Sequence, residues 1–381
     1  MRVDVVTSGE SKPLYFDVPD STQVCELLRR IGMSRCIPSW RLLLVHSGRV
    51  LSRDATLAQS QLCDGDLLTL VVKPASSFVL LGNCGGCVEL WDIDDGIMIR
   101  TFSGHFFREV KTIDDLHFDT RTRINAVALS QNGTLALSGS QDGTARLWNT
   151  DSGDCIQCFD SKLRDQYIDN PVSVTSVGFV VNGEFRNTVL TGNCDGSIML
   201  WSMEDMGKLL RTAWPHGTSS RRIKYVTVAM LSHDGSSAFS AVAADKRLKM
   251  WSVASGLCIK YFSHDCFSIA RAVLSSEGET LFTGCRNGAT MLWDISSGDC
   301  IRSFGAVVDH ECTNCADLTR VDEFVIGFGP SGCLGMAVLW EACTGKRCRR
   351  FQHSCGLLPF VDLSSDSQFA LTGGSDGIVR I

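Results

Sequence analysis

Gln141-Asp-Gly-Thr-Ala-Arg-Leu-Trp148 joins a tight turn to a short run that closes on tryptophan. Asp-Gly supplies the positive φ angles that a two-residue hairpin requires. The alternating residues after it make a strand with one buried face. The phrase recurs as Val88-Glu-Leu-Trp91, Ile198-Met-Leu-Trp201, Leu248-Lys-Met-Trp251, Thr290-Met-Leu-Trp293 and Ala337-Val-Leu-Trp340. The six tryptophans stand 57, 53, 50, 42 and 47 residues apart, a period that marks a repeat architecture.

Around each tryptophan the neighbouring segments recur as well. Turn signals stand at Cys194-Asp-Gly196, Arg286-Asn-Gly288 and Ser375-Asp-Gly377. An earlier strand and turn, such as Asn125-Ala-Val-Ala-Leu-Ser130 with Gln131-Asn-Gly133, come first. A Gly-bearing turn and one more strand follow, as in Ser152-Gly-Asp-Cys-Ile-Gln-Cys-Phe159, Ser255-Gly-Leu-Cys-Ile-Lys-Tyr-Phe262 and Ser297-Gly-Asp-Cys-Ile-Arg-Ser-Phe304. Each repeat is therefore expected to be four antiparallel strands, and the protein mainly β.

These phrases, with Gly104-His105 and Trp293-Asp294 as signature dipeptides, resemble the WD-repeat family over about residues 75 to 381. The resemblance implies a seven-bladed β-propeller whose blades bury their faces against their neighbours. It also implies a stabilising network of His, Ser or Thr, Asp and Trp. That network is complete in the second repeat as His105, Ser138, Asp142 and Trp148. The third keeps Thr191, Asp195 and Trp201. The fifth keeps His264, Thr283 and Trp293, with Asn287 for Asp. The fourth is expected to lack the hydroxyl, with Ala241 in its place, and the sixth lacks the Asp. The resemblance makes these residues structural rather than catalytic.

The first and last blades are expected to be incomplete and the ring open. The first begins with its second strand at Phe78, and the seventh ends at Ile381 before its tryptophan. A chain continuing past Ile381 would supply both missing strands. The alternative is that both blades are simply short.

Residues 1–73 do not share the repeat. Alternating strands are expected at Met1–Val6 and Leu14–Val18. Ser21 or Thr22 is expected to cap a helix with apolar positions Val24, Leu27, Leu28 and Ile31. Further strands fall at Leu42–Val45 and Leu67–Val72. The order resembles ubiquitin and its relatives, a small α+β β-grasp fold, through Leu44-Val-His-Ser-Gly48, Leu51, Thr56-Leu57 and Leu68-Thr-Leu-Val-Val72. Lys73-Pro-Ala-Ser replaces the Gly-Gly ending, so conjugation is not expected. Of the face that ubiquitin offers its receptors, Val45 and Val71 match, while Ser8 and Thr69 replace a leucine and a histidine. The expected division is a ubiquitin-like domain at 1–73, a linker at 74–77 and a propeller at 78–381.

The 381 residues carry a net charge of −6, which disfavours a nucleic-acid partner. The basic run singled out is Arg221-Arg222-Ile-Lys224. No apolar run reaches the roughly 18 residues of a membrane helix and no signal peptide opens the chain. A cytoplasmic or nuclear place and reduced cysteines are therefore expected among the 18 present. The pairs Cys84/Cys87, Cys155/Cys158 and Cys312/Cys315, the last with His310 nearby, lie in different repeats. Zinc wants four ligands together, so no metal or other cofactor is expected. No phosphate loop, nucleophile elbow or carboxylate pair appears either, and no enzyme is expected.

Binding is expected on the long connections 104–124, 160–171 and 211–223. Phe106, Phe107 and Arg108 stand out there as interface anchors. Two readings remain at this stage. In one, the propeller holds a client protein and the N-terminal domain docks ubiquitin-system or proteasome components. In the other, the protein is a general scaffold with no ubiquitin-pathway role. The Trp-Asp-x-Arg signature of some ligase adaptors is missing, since Asp94 and Ser296 stand at the Arg position.

Overall fold

Alternating apolar residues give the N-terminal strands β1 (Arg2–Thr7) and β2 (Leu14–Asp17). After the helix α1 (Val24–Arg35) come β3 (Leu42–His46), β4 (Arg49–Val50) and β5 (Asp66–Val72). The computed structural model describes residues 1–7, 13–74, 78–106, 122–130, 132–160, 172–180, 187–213, 226–232, 234–242, 245–264, 269–275, 277–285, 290–304, 315–318, 324–328, 336–352, 360–363, 369–374 and 378–381. The five strands form one sheet in the order β2-β1-β5-β3-β4. β1 and β5 run parallel at its centre, and the other pairs are antiparallel. One sheet face packs Val3, Val5, Leu42, Leu44, Leu68 and Leu70 against Val24, Leu27, Leu28 and Ile31 of α1.

Neither Ser21 nor Thr22 caps that helix. Gln23 holds the N-cap position without a side-chain bond. Instead, Val24 N–H donates to Ala55 O (2.9 Å) and Cys25 N–H to Arg53 O (3.0 Å). A neighbouring loop thus satisfies free donors of the first turn, so no capping side chain is required there.

Seven further sheets follow among the described residues. The first comprises Phe78–Gly82, Cys87–Asp92 and Ile97–Ser103, with no strand inside Phe78–Gly82. The second comprises Ile124–Leu129, Leu135–Ser140, Thr144–Asn149 and Cys155–Asp160, from inner to outer strand. The third, fourth, fifth and sixth repeat that four-stranded antiparallel pattern, ending on outer strands Leu209–Ala213, Cys258–Ser263, Cys300–Phe304 and Arg347–Gln352. The seventh has Phe360–Leu363, Ala370–Gly373 and Val379–Arg380.

The cores lie between successive sheets. Outer strands end on a phenylalanine that packs on the next sheet's tryptophan. Ring centroids are 5.8 Å apart for Phe102–Trp148, Phe159–Trp201 and Phe262–Trp293, and 6.5 Å for Phe304–Trp340. Such pairs add about 0.5–1.5 kcal/mol beyond burial. Ala213 stands at this position in the third sheet, so Trp251 lacks the stack. A second link recurs two residues before that closing position. Arg100 Nη1 donates to Ser152 O (3.0 Å), Lys260 Nζ to Ile295 O (2.9 Å) and Arg302 Nη1 to Thr344 O (2.9 Å). Arg211 reaches Ala254 O in the same way. Each cation thereby straps its sheet to the turn of the next.

Close approach explains the glycine in the second strands. A Cβ on Gly139 would lie 2.6 Å from Val174 and 2.7 Å from Val177, on the neighbouring inner strand. Gly139→Val is expected to destabilise by at least the ~1–3 kcal/mol of an overpacked core. A denaturant midpoint equal to wild type would show instead that this seam yields.

Candidate functional site

Four side chains meet where the first sheet's outer strand ends against the second sheet. His105 follows the outer strand of the first sheet. Ser138, Asp142 and Trp148 come from the second strand, turn and third strand of the second sheet. The His105 Nδ1 to Asp142 Oδ2 distance is 2.9 Å, and Nε2 lies 2.7 Å from Ser138 Oγ. Trp148 Nε1–H donates to the same Ser138 Oγ at 2.8 Å. Thr144 adds donors from its hydroxyl (2.7 Å) and backbone N–H (2.8 Å) to Asp142 Oδ1. Burial alone would raise the Asp142 carboxyl. The hydrogen bond and charge of His105, with the Thr144 donors, outweigh it and hold the group below its ordinary value. All four side chains are buried, so no substrate atom reaches them.

The other repeats hold parts of this arrangement. Trp201 Nε1–H donates to Thr191 Oγ1 (3.0 Å), while Asp195 accepts from Ser197 N–H and Oγ–H. His264 Nε2 lies 2.7 Å from Thr283 Oγ1, which accepts from Trp293 Nε1–H at 2.9 Å. Asn287 lies outside the described residues, and His264 Nδ1 turns to Phe262 O at 3.0 Å. The fourth sheet corrects the sequence alignment. Ala238 pairs with Trp251 as Ala136 pairs with Trp148, which places Ser240 at the Ser138 position. Ala241 instead takes the glycine position. Trp251 Nε1 is nevertheless buried without a hydrogen-bond partner. In the signature dipeptide Trp293-Asp294, the Ser296 hydroxyl (2.6 Å) and Ser297 N–H (2.6 Å) bond Asp294 and bring its carboxyl down to about 2.

The N-terminal sheet leaves its second face open. In register, Asp4 faces Tyr15 and Leu67, Leu43 faces Val71, and Val45 faces both Thr69 and Val50. Tyr15, Val50, Leu67 and Val71 are between 41% and 60% exposed, and Val45 is half-buried among them. Ser8 lies outside the described residues.

This sheet is joined to the propeller strands by a built seam. Trp40 leaves the N-terminal unit and packs edge-on against Phe78, with centroids 4.4 Å apart. It shares a core with Val88, Leu90, Phe102 and Trp148. Asp151 accepts from Ser39 N–H and Oγ–H, both at 2.8 Å, and Arg41 donates to Asn132 O at 3.1 Å. Lys73 Nζ bridges Asp92 (2.6 Å) and Asp95 (2.9 Å). Partial burial works against that ammonium, but the two carboxylates raise it above its ordinary value.

Of the anchors singled out on the first connection, Phe106 is 46% exposed, whereas Phe107 and Arg108 lie outside the described residues. Arg221, Arg222 and Lys224 lie outside them as well. Cys84, Cys87 and Cys155 are free thiols, Cys158 forms no disulfide, and Cys312 and His310 are not described. Cys285 departs from the expectation of reduced cysteines, since it is buried and disulfide-bonded. Chain length and compartment say nothing about which sulfurs the strands bring together. Among the described residues, no three His, Cys, Asp or Glu side chains gather as a metal site. None of the described helices is long and apolar enough to cross a membrane. One feature escaped the sequence reading. Lys346-Arg-Cys-Arg-Arg350 is a denser basic run than Arg221–Lys224, and it forms an exposed outer strand.

Residues 96–149, 162–202 and 345–381 match the WD domain, G-beta repeat. The nuclear distribution protein nudF of Aspergillus niger is 23% identical over 262 residues, covering 68% of this chain and 50% of that protein. Pre-mRNA-processing factor 17 of Mus musculus is 23% identical over 315 residues, covering 81% of this chain and 48% of that protein. The chain thus spans about half the length of these relatives. The β-propeller domain of Myceliophteria thermophila Cps50 (Swd1) superposes with a TM-score of 0.64 at 14% identity, covering 79% of this chain and 90% of that one. Three segments of the chain thus match the WD repeat, and its successive four-stranded sheets follow the β-propeller fold.

Proposed function

We propose that this protein is a non-enzymatic scaffold or adaptor of the cytoplasm or nucleus. Residues 78–381 form a seven-bladed propeller that holds a client protein, with Phe106, Phe107 and Arg108 among the contacts. Residues 1–73 form a ubiquitin-like domain, joined through 74–77, that engages ubiquitin-system or proteasome components. His105, Ser138, Asp142 and their counterparts stabilise blades and carry no chemistry.

The observation that carries this reading is the open apolar face of the N-terminal sheet, held on the propeller by the Trp40 and Lys73 seam yet left uncovered. The sheet order β2-β1-β5-β3-β4 with one helix across it supports the ubiquitin-like assignment. Departures at Ser8 and Thr69 favour the second reading, a scaffold without a ubiquitin-pathway role.

Affinity capture with the full chain separates the two. In the double variant Leu67→Glu/Val71→Glu, both changes sit on the exposed face, so stability is expected to stay within about 0.5 kcal/mol. Proteasome or ligase subunits captured by wild type are expected to fall about tenfold or more with the variant. An identical capture profile would remove the ubiquitin-pathway role and leave the general scaffold.

A further inference from the structure

We propose that the outer strand of the sixth sheet, Arg347–Gln352, is a docking edge for an extended acidic peptide. Lys346, Arg347, Arg349 and Arg350 place four cations within five residues, and all four are exposed. Among the described residues, the strand pairs with Met336–Glu341 along one edge only. Along its other edge, main-chain donors and acceptors face outward, which is the template that an added strand uses.

Comparison with the other outer strands isolates this one. In the first, third, fourth and fifth sheets the cation two residues before the closing position donates to a backbone carbonyl of the next sheet. Arg349 holds that position in the sixth sheet, flanked by Arg347 and Arg350, and none of Lys346, Arg347, Arg349 and Arg350 makes an ion pair with a described residue. The corresponding strand of the second sheet, Cys155–Asp160, has no Lys or Arg. The outer strands of the first five sheets carry at most one Lys or Arg each, so the charge is a property of this edge and not of the repeat.

The chemistry selects the occupant. Like charges placed opposite one another are destabilising, so two copies of this edge repel. The bulge opposite Trp340 brings Arg347 to the same face as Arg350, with Arg349 on the other, so a strand carrying Asp or Glu on both faces meets all three. Each exposed pair contributes little alone, about 0–1 kcal/mol, so binding needs several carboxylates together with the backbone ladder. A nucleic acid satisfies the cations but not the ladder. The net charge of −6 also opposes a polyanion that runs beyond this strand.

The test is fluorescence anisotropy on the full chain with a labelled synthetic peptide of alternating Glu and Val. Wild type is expected to bind it, more weakly as salt is raised. The triple variant Arg347→Glu/Arg349→Glu/Arg350→Glu, with an unchanged melting temperature, is expected to bind at least tenfold more weakly. The same peptide N-methylated at alternate amides, which blocks strand pairing, is expected to lose a similar factor on wild type. Equal binding of the methylated peptide, single-stranded DNA bound as tightly as the peptide, or no effect of charge reversal would each overturn the proposal.

Discussion

Replacing His105 by alanine is expected to destabilise the protein by about 3–5 kcal/mol, because it leaves the buried Asp142 carboxylate without its principal partner. Melting temperature should fall on the order of 10 °C. Ser138→Ala should also be costly, since Ser138 Oγ bonds both His105 and Trp148. The two changes act on one network, so the double variant should lose clearly less than the sum of the singles. Strict additivity would show that these side chains do not act together. The pH dependence has a definite sign. Asp142 is held below its ordinary value of 3.8, so its contribution is present above that pH and is lost as pH falls through the folded-state value. The stability gap between wild type and Asp142→Asn should therefore narrow on acidification below 3.8. A gap that widened would reverse the assignment of Asp142 as the ionised member.

That tetrad was legible through the resemblance to the WD-repeat family, which points to His105, Ser138, Asp142 and Trp148 as the one complete set. Register was harder. In the fourth sheet the usual glycine is replaced by Ala241, and without that marker the sequence puts the hydroxyl position one residue late; the pairing of Ala238 with Trp251 restores it to Ser240. The Phe-to-Trp stacks and the cation straps were also written in the outer strands. Phe102, Phe159, Phe262 and Phe304 occupy one position, and Arg100, Lys260 and Arg302 another. They link neighbouring repeats, whereas the turn-and-tryptophan pattern lies within one repeat. Lys346–Arg350 reads in sequence as one more outer strand, and its exposure sets it apart. The seam at Trp40 had no signal of this kind. A tryptophan after Pro38-Ser39 fits the N-terminal core equally well from sequence, and only the meeting of two folded units decides which core it enters.

Trp40→Ala is accordingly expected to separate the two units. It removes a ring that packs at 4.4 Å on Phe78 and lies beside Gly133, where a Cβ would come within 3.2 Å of the ring. The loss should amount to about 3–5 kcal/mol. It should fall on the coupling between units as well as on the first sheet: one cooperative melting transition should become two, and amides of Phe78–Gly82 should exchange faster while those of Val24–Arg35 keep their protection. Trp40→Phe provides the control. Trp40 Nε1 is buried without a hydrogen-bond partner, so phenylalanine keeps an aromatic ring and removes an orphan donor. That variant should retain a single transition. Lys73→Met tests the polar half of the seam, because it strands the buried Asp92 carboxylate. If Trp40→Ala still melts in one step with unchanged exchange at Phe78–Gly82, the polar contacts alone hold the units together. If it melts in two, the direction in which the open face of the N-terminal sheet points is set by one indole ring that belongs to neither the repeat nor the face itself.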